Sequence, residues 1–146
     1  MALTQKEESL IKDLQDQEKL CIDKYNYYAE AAKDQELKNL FNRLKTNEQD
    51  HFNALSQILN NETSSINYER LNASQYSPQA TYDTTSNTAD KEHDKFLCTD
   101  CIATEKYVSS AYNNDLFQFG KSMRTAKETS NLGIAVFMAM YALVGY

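Results

Sequence analysis

Pro78 is the one proline in 146 residues, and it stands in a polar stretch rather than inside any hydrophobic period. Proline removes a backbone donor and clashes with the preceding turn, so a chain that keeps its only one there can run long helices on both sides. There are also only three glycines, which leaves a strand-and-turn fold almost without punctuation. The expected class is all-α.

The apolar periods place the helices. Thr4-Gln-Lys-Glu7 has the form of a capping box and opens a first helix over about 5–33. Its stripe is Leu10/Ile11, Leu14, Glu18, Cys21, Tyr25 and Tyr28, at three- and four-residue spacing. Asp34 suits the N-cap of a second helix, whose stripe runs from Leu37, Leu40, Phe41 and Leu44 through Glu48 and His51/Phe52 to Leu55, Ile58 and Leu59. From 61 to 88 Ser, Thr, Asn and Asp compete with the backbone for hydrogen bonds and no period survives. A third helix follows over about 89–119, with Leu97/Cys98, Cys101, Glu105, Val108, Tyr112, Leu116 and Phe119 on one face and Gly120 as its expected stop. A shorter fourth helix is expected from 121 to the end.

Short joints make antiparallel neighbours. A helix of about 25 residues is about 38 Å long, and a connection of nearly 30 residues reaches about 90 Å when extended. The stretch 61–88 can therefore cross the whole bundle, so that helices two and three run parallel. The chain reads as one domain, 1–146, built of a hairpin at 4–60, a crossover at 61–88 and a hairpin at 89–146. Four helices with one long crossover form the ferritin-like arrangement.

A repeat supports the two-hairpin reading. "EKLCIDKYN" at 18–26 returns as "EKYVSSAYN" at 105–113. The same offset of 87 pairs Leu10 with Leu97, Asp13 with Asp100, Glu18 with Glu105, Lys19 with Lys106, Tyr25 with Tyr112 and Asn26 with Asn113. Several of these matches are polar, which amphipathic periodicity alone would not enforce.

Glu18, Glu48, His51 and Glu105 all fall on inward stripes. An unpaired buried carboxylate costs several kcal/mol or takes up a proton, so each needs a partner: a stripe tyrosine (Tyr25, Tyr112), a cation or a metal. Glu48-Gln-Asp-His51 is an ExxH, whose i and i+3 side chains leave one helix face together. Dinuclear carboxylate bundles use one Glu from each of two helices and an ExxH from each of the other two. Glu18, Glu48, His51 and Glu105 supply most of that set as candidate metal ligands. Helix four offers only Glu128 and Asn131, and Asn is a poor substitute for imidazole toward iron, manganese or zinc. His93, the other histidine, is expected to be exposed. The expected site is thus partial and vestigial, with no required cofactor, and iron or manganese as the metals it would take.

The remaining signals are weaker. A net charge of −6 argues against a nucleic-acid or anionic-membrane partner. The apolar run at 132–146 is shorter than the roughly 20 residues of a spanning helix and reads as a buried terminal helix. No basic-plus-apolar leader opens the chain, so Cys21, Cys98 and Cys101 are expected to be reduced thiols in a cytoplasm. Cys98-Thr-Asp-Cys101 lies inside a helix, which suits core packing better than redox chemistry. Tyr68, Tyr76 and Tyr82 lie in the crossover, where docking onto the bundle is their expected role.

"FLCTDCIATEKYVSSAYNNDLF" resembles the second hairpin of the spore coat protein F family, ferritin-like proteins of endospore-forming bacteria. "LIKDLQDQEKLCIDKYNYYAEA" with "LFNRLKTNEQDHF" resembles the first, and more distantly rubrerythrin-type proteins. The resemblance covers 5 to about 119 and departs at the C-terminus, where a second ExxH helix is expected and absent. It implies a non-enzymatic structural component made in the mother-cell cytoplasm and laid into the spore coat, with other coat proteins as partners and homo-oligomers as the expected state. The rival reading is a rubrerythrin-like metal-dependent oxidase or peroxidase.

Overall fold

The computed structural model describes residues 3–62, 79, 81–82 and 85–125. They form three helices, α1 (Gln5–Ala31), α2 (Gln35–Leu59) and α3 (Thr88–Thr125), with no strand among the described residues. The all-α expectation holds there. The expected fourth helix, including Glu128, Asn131 and the apolar run at 132–146, lies outside the described residues, as do Tyr68 and Tyr76.

Local chemistry sets the helix ends. At Thr4 the capping box is complete: the Glu7 amide donates to Thr4 Oγ1 at 3.2 Å, and the Thr4 amide donates to Glu7 Oε2 at 2.8 Å. Asp34 caps α2 by accepting from the Leu37 amide at 2.9 Å. The far end of α2 closes in a Schellman motif. Asn61 takes a left-handed conformation, φ 60°, which asparagine tolerates better than most residues. Its amide donates to Ile58 O and that of Glu62 to Gln57 O, satisfying two terminal carbonyls.

Helix α3 runs through Gly120 to Thr125, which corrects the expected stop at that glycine. A glycine inside a helix costs only about 1 kcal/mol relative to alanine, and extending an existing helix adds a backbone bond for each residue fixed. That penalty alone does not end a helix.

The apolar stripes meet in one core. Ile11, Leu14, Cys21, Tyr25 and Tyr28 of α1 pack with Phe41, Ala54, Leu55 and Ile58 of α2 and with Leu97, Cys101, Val108 and Tyr112 of α3. Each large side chain buried in this way contributes about 1.5–3 kcal/mol. The three-residue joint at 32–34 makes α1 and α2 antiparallel. The rings of Tyr28 and Phe41 lie 5.2 Å apart near that joint, and Gln15 Nε2 donates to Ser56 Oγ at 2.8 Å near the other end.

Helix α3 is antiparallel to α1. Near the joint, the Lys33 and Asp34 amides each donate to the Asp94 carboxylate at 2.8 Å. Toward the start of α1, Tyr112 reaches Glu18 and Asp115 reaches Asp13. Helices α2 and α3 therefore run parallel, as a long crossover requires. The end of that crossover is tied down. Thr81 donates to Asp34 through both its amide (3.0 Å) and its hydroxyl, and the Tyr82 hydroxyl donates to Asp94 and to Asp90 O. Docking is the role of Tyr82. Among the described residues no helix is long and apolar enough to cross a membrane.

Candidate metal centre

Three helices bring the four candidate ligands together halfway along the core. Glu18 projects from α1, Glu48 and His51 from one face of α2, and Glu105 from α3. Glu18, Glu48 and His51 are 1 %, 3 % and 3 % exposed, so water cannot solvate these charges. One ligand atom from each of the three lies within 4.8 Å of the others. His51 Nδ1 is 3.3 Å from Glu48 Oε2 and 3.6 Å from Glu18 Oε1, so this ring nitrogen faces the carboxylates. Glu105 is half-buried and stands beside this trio, hydrogen-bonded to Glu48.

Glu48 is the hub: its carboxyl group interacts with Glu18, His51 and Glu105. Burial pushes its pKa above the usual carboxylate range, the neighbouring Glu18 adds to the rise, and His51 only partly offsets it. Burial raises Glu105 as well. For His51 burial works downward, but the hydrogen bonds and charges of Glu18 and Glu48 outweigh it and lift the imidazole to about 10. Protons therefore do here what a cation would do: they hold several acids together away from water.

Two tyrosines complete the cluster, crossed between α1 and α3. Tyr25 of α1 donates to Glu105 of α3, and Tyr112 of α3 donates to Glu18 of α1. Since Tyr112 repeats Tyr25 and Glu105 repeats Glu18, the two bonds are one contact written twice around a pseudo-twofold axis. Burial, then the adjacent carboxylates, keep both phenols protonated and able only to donate at neutral pH.

The residues present fit a first-row metal ion. Glu18 Oε2 is buried with no hydrogen-bond partner, an unfilled acceptor inside the cluster. Carboxylates with one imidazole suit iron, manganese or zinc. Binding would require His51 to be neutral and Glu48 ionised, so metal uptake would release protons.

Other expected residues lie away from this centre. His93 is half-buried rather than exposed, with Nε2 3.1 Å from Ala31 O, because α3 packs along the C-terminal turn of α1. Cys21 and Cys101 pack in the core. Burial raises both thiols, Cys101 to about 12, with the nearby glutamates adding to it, so neither is a thiolate at neutral pH. Cys98 is half-buried, and all three cysteines are free.

Sequence reasoning missed Asp94, Asp115 and the Lys24–Asp100–Thr104 set. Asp94 is 2 % exposed and caps the α1–α2 joint, a job that periodicity does not reveal. The repeat did hold a signal for the others, in the matched pair Asp13 and Asp100. Comparison with models of protein families, with curated proteins and with solved structures gives no match.

Proposed function

We propose that this chain is a non-enzymatic structural protein, a ferritin-like four-helix bundle of the spore coat, whose buried cluster binds one iron or manganese ion as a brace between helices. The coat assignment rests on the resemblance of "TEKYVSSAYN" and its surroundings to the coat protein F family. The brace rests on one observation: Glu18, Glu48 and His51 converge in the core with an unfilled carboxylate oxygen among them. An ion there would join α1 to α2 directly and α3 through Glu105. Its positive charge would replace the protons that now hold the acids together. At 1–3 % exposure the three ligands lie where a structural ion belongs, shielded from exchange with solvent.

The position of Glu48 favours a second reading, a rubrerythrin-type oxidase or peroxidase. A carboxylate that interacts with Glu18, His51 and Glu105 from three helices could serve two ions. A metal pair would supply the redox chemistry. This chain's residues would orient it through the crossed tyrosine bonds and keep water out.

Metal content per chain after anaerobic Fe(II) and Mn(II) loading, in the wild type and in Glu48→Ala/His51→Ala, separates the readings. One ion, lost in the variant and accompanied by a higher melting midpoint without oxygen or peroxide turnover, supports the brace. Two ions with turnover would replace it by the oxidase. Detection of the chain in the coat fraction of purified spores, against vegetative cytoplasm, tests the coat assignment.

A further inference from the structure

The pseudo-twofold repeat holds a second contact between α1 and α3, and its two copies differ in charge. In one copy, Lys24 Nζ lies 2.9 Å from Thr104 Oγ1 and 3.4 Å from Asp100 Oδ2, and the Tyr28 hydroxyl donates to the same Asp100. An ammonium and a phenol thus satisfy the Asp100 carboxylate, whose pKa is lowered by the Tyr28 bond first and by Lys24 next.

The offset of 87 that relates Glu18 to Glu105 carries this set onto the other end of the seam. Asp100 becomes Asp13, Thr104 becomes Gln17, Lys24 becomes Ala111 and Tyr28 becomes Asp115. The oxygens are kept and the cation is gone. Asp13 and Asp115 lie close enough to interact through their carboxyl groups, at the place where Asp100 meets Tyr28 in the other copy. A methyl group at Ala111 now takes the register position of the ammonium. Two donors therefore disappear, the lysine and the tyrosine, and one further acid is added.

Unfilled acceptors mark the consequence. Asp115 is 5 % exposed, and its Oδ2 is buried with no hydrogen-bond partner. Gln17 Oε1, which takes the Thr104 position, is likewise buried and without a partner. A buried acceptor left without a donor keeps its desolvation penalty uncompensated. Two of them at the same end of one helix seam, where the paired copy holds an ammonium, make this place suited to a cation.

We propose that Asp13, Gln17 and Asp115 form a second cation site, specific for a hard divalent ion such as Ca2+ or Mg2+, at the place where Lys24 provides the positive charge in the other half. The donor set consists of oxygens only, two carboxylates and an amide carbonyl, which suits these ions and not thiolate- or imidazole-seeking metals. Asp13 is exposed, so solvent water can complete the coordination from the outer side. The site is separate from the Glu48–His51 centre and does not depend on how that centre is read.

The test uses the full chain with Ca2+ and Mg2+ as probes, followed by titration calorimetry and by melting. Ca2+ or Mg2+ is expected to bind the wild type and raise its melting midpoint, as any ligand specific to the folded state does. Asp115→Asn should lose the response. Ala111→Lys, which restores the ammonium of the other half, should also lose it and should melt above the wild type when no divalent ion is present. Glu48→Ala/His51→Ala should keep the response. A wild type with neither heat nor shift would overturn the site. So would an Asp115→Asn protein that binds as well as the wild type, or a folded Glu48→Ala/His51→Ala protein that no longer binds.

Discussion

The Tyr112 hydroxyl donates to Glu18 across the α1–α3 seam, and the repeat-related Tyr25 returns the bond to Glu105. The two contacts differ in surroundings. Glu18 is 1 % exposed and also carries an oxygen with no partner, whereas Glu105 is half-buried and within reach of water. Removing a donor from a buried acceptor costs its desolvation, while solvent can replace a donor at a partly exposed one. Tyr112→Phe is therefore expected to destabilise the metal-free protein by about 1–3 kcal/mol, and Tyr25→Phe by about 0.5–1.5 kcal/mol. Urea denaturation of the two variants checks the order, and equal losses would mean that the seam does not distinguish its two tyrosines.

His51 gives a pH dependence of known sign. Its folded pKa is raised to about 10 from an ordinary value of 6.5 by the hydrogen bonds and charges of Glu18 and Glu48, against the downward pull of burial. A raised pKa means that its stabilising contribution is complete below 6.5 and is lost as pH rises through the folded value. In metal-free protein His51→Gln should cost about 3–5 kcal/mol near pH 6, because it breaks a buried ion pair. The gap to the wild type should narrow steadily toward pH 9.5. A gap that is constant with pH would show that His51 is neutral in the folded state and acts only through packing.

How far the sequence could be read follows from what each residue answers to. Glu18 and Glu105 were legible because they interrupt apolar stripes and recur at one offset, and Glu48 with His51 because i and i+3 share a face. Tyr25 and Tyr112 could be named as partners, but not their crossing between α1 and α3, which needs the antiparallel register. Asp94 was out of reach. Its partners, the amides of Lys33 and Asp34, lie some 60 residues away, and nothing in a helix period announces a carboxylate serving another segment's backbone. The end of α3 was misplaced because glycine's helix penalty is smaller than what continued propagation can supply.

Asp34 joins two roles that one substitution can separate. It caps α2 through Leu37, and it anchors the crossover through Thr81. Burial alone would raise its pKa, but the bonds from Thr81 and from the Leu37 amide hold it below 3.8. A depressed pKa gives stability that is present above 3.8 and is lost as pH falls through the folded value. Asp34→Ala should cost about 1–2 kcal/mol at neutral pH, and Asp34→Asn, which keeps a capping oxygen, should cost less. Both differences should shrink in acid. Thr81→Val leaves the cap and the Thr81 amide bond intact, so it should weaken only the crossover anchor by its hydroxyl bond, read as faster proteolysis of the 61–88 segment with α2 unchanged by circular dichroism.

The cysteines offer a test of burial that is independent of any metal. Cys21 is 0 % exposed and Cys101 8 %, and burial raises both thiols, with nearby glutamates adding to it. Cys98 is half-buried and raised by burial and by Asp94. Attack on a disulfide reagent requires both a thiolate and access. In native protein Cys98 should therefore react first, with Cys21 and Cys101 following only at the rate at which the bundle opens. All three should react promptly in denaturant. Because Cys21 sits one turn beyond Glu18, its protection also reports on the cluster. Metal loading should slow its labelling further in the wild type but not in Glu48→Ala/His51→Ala. Native Cys21 labelling as fast as that of Cys98 would contradict the packing of α1 against α3 on which the candidate metal centre depends.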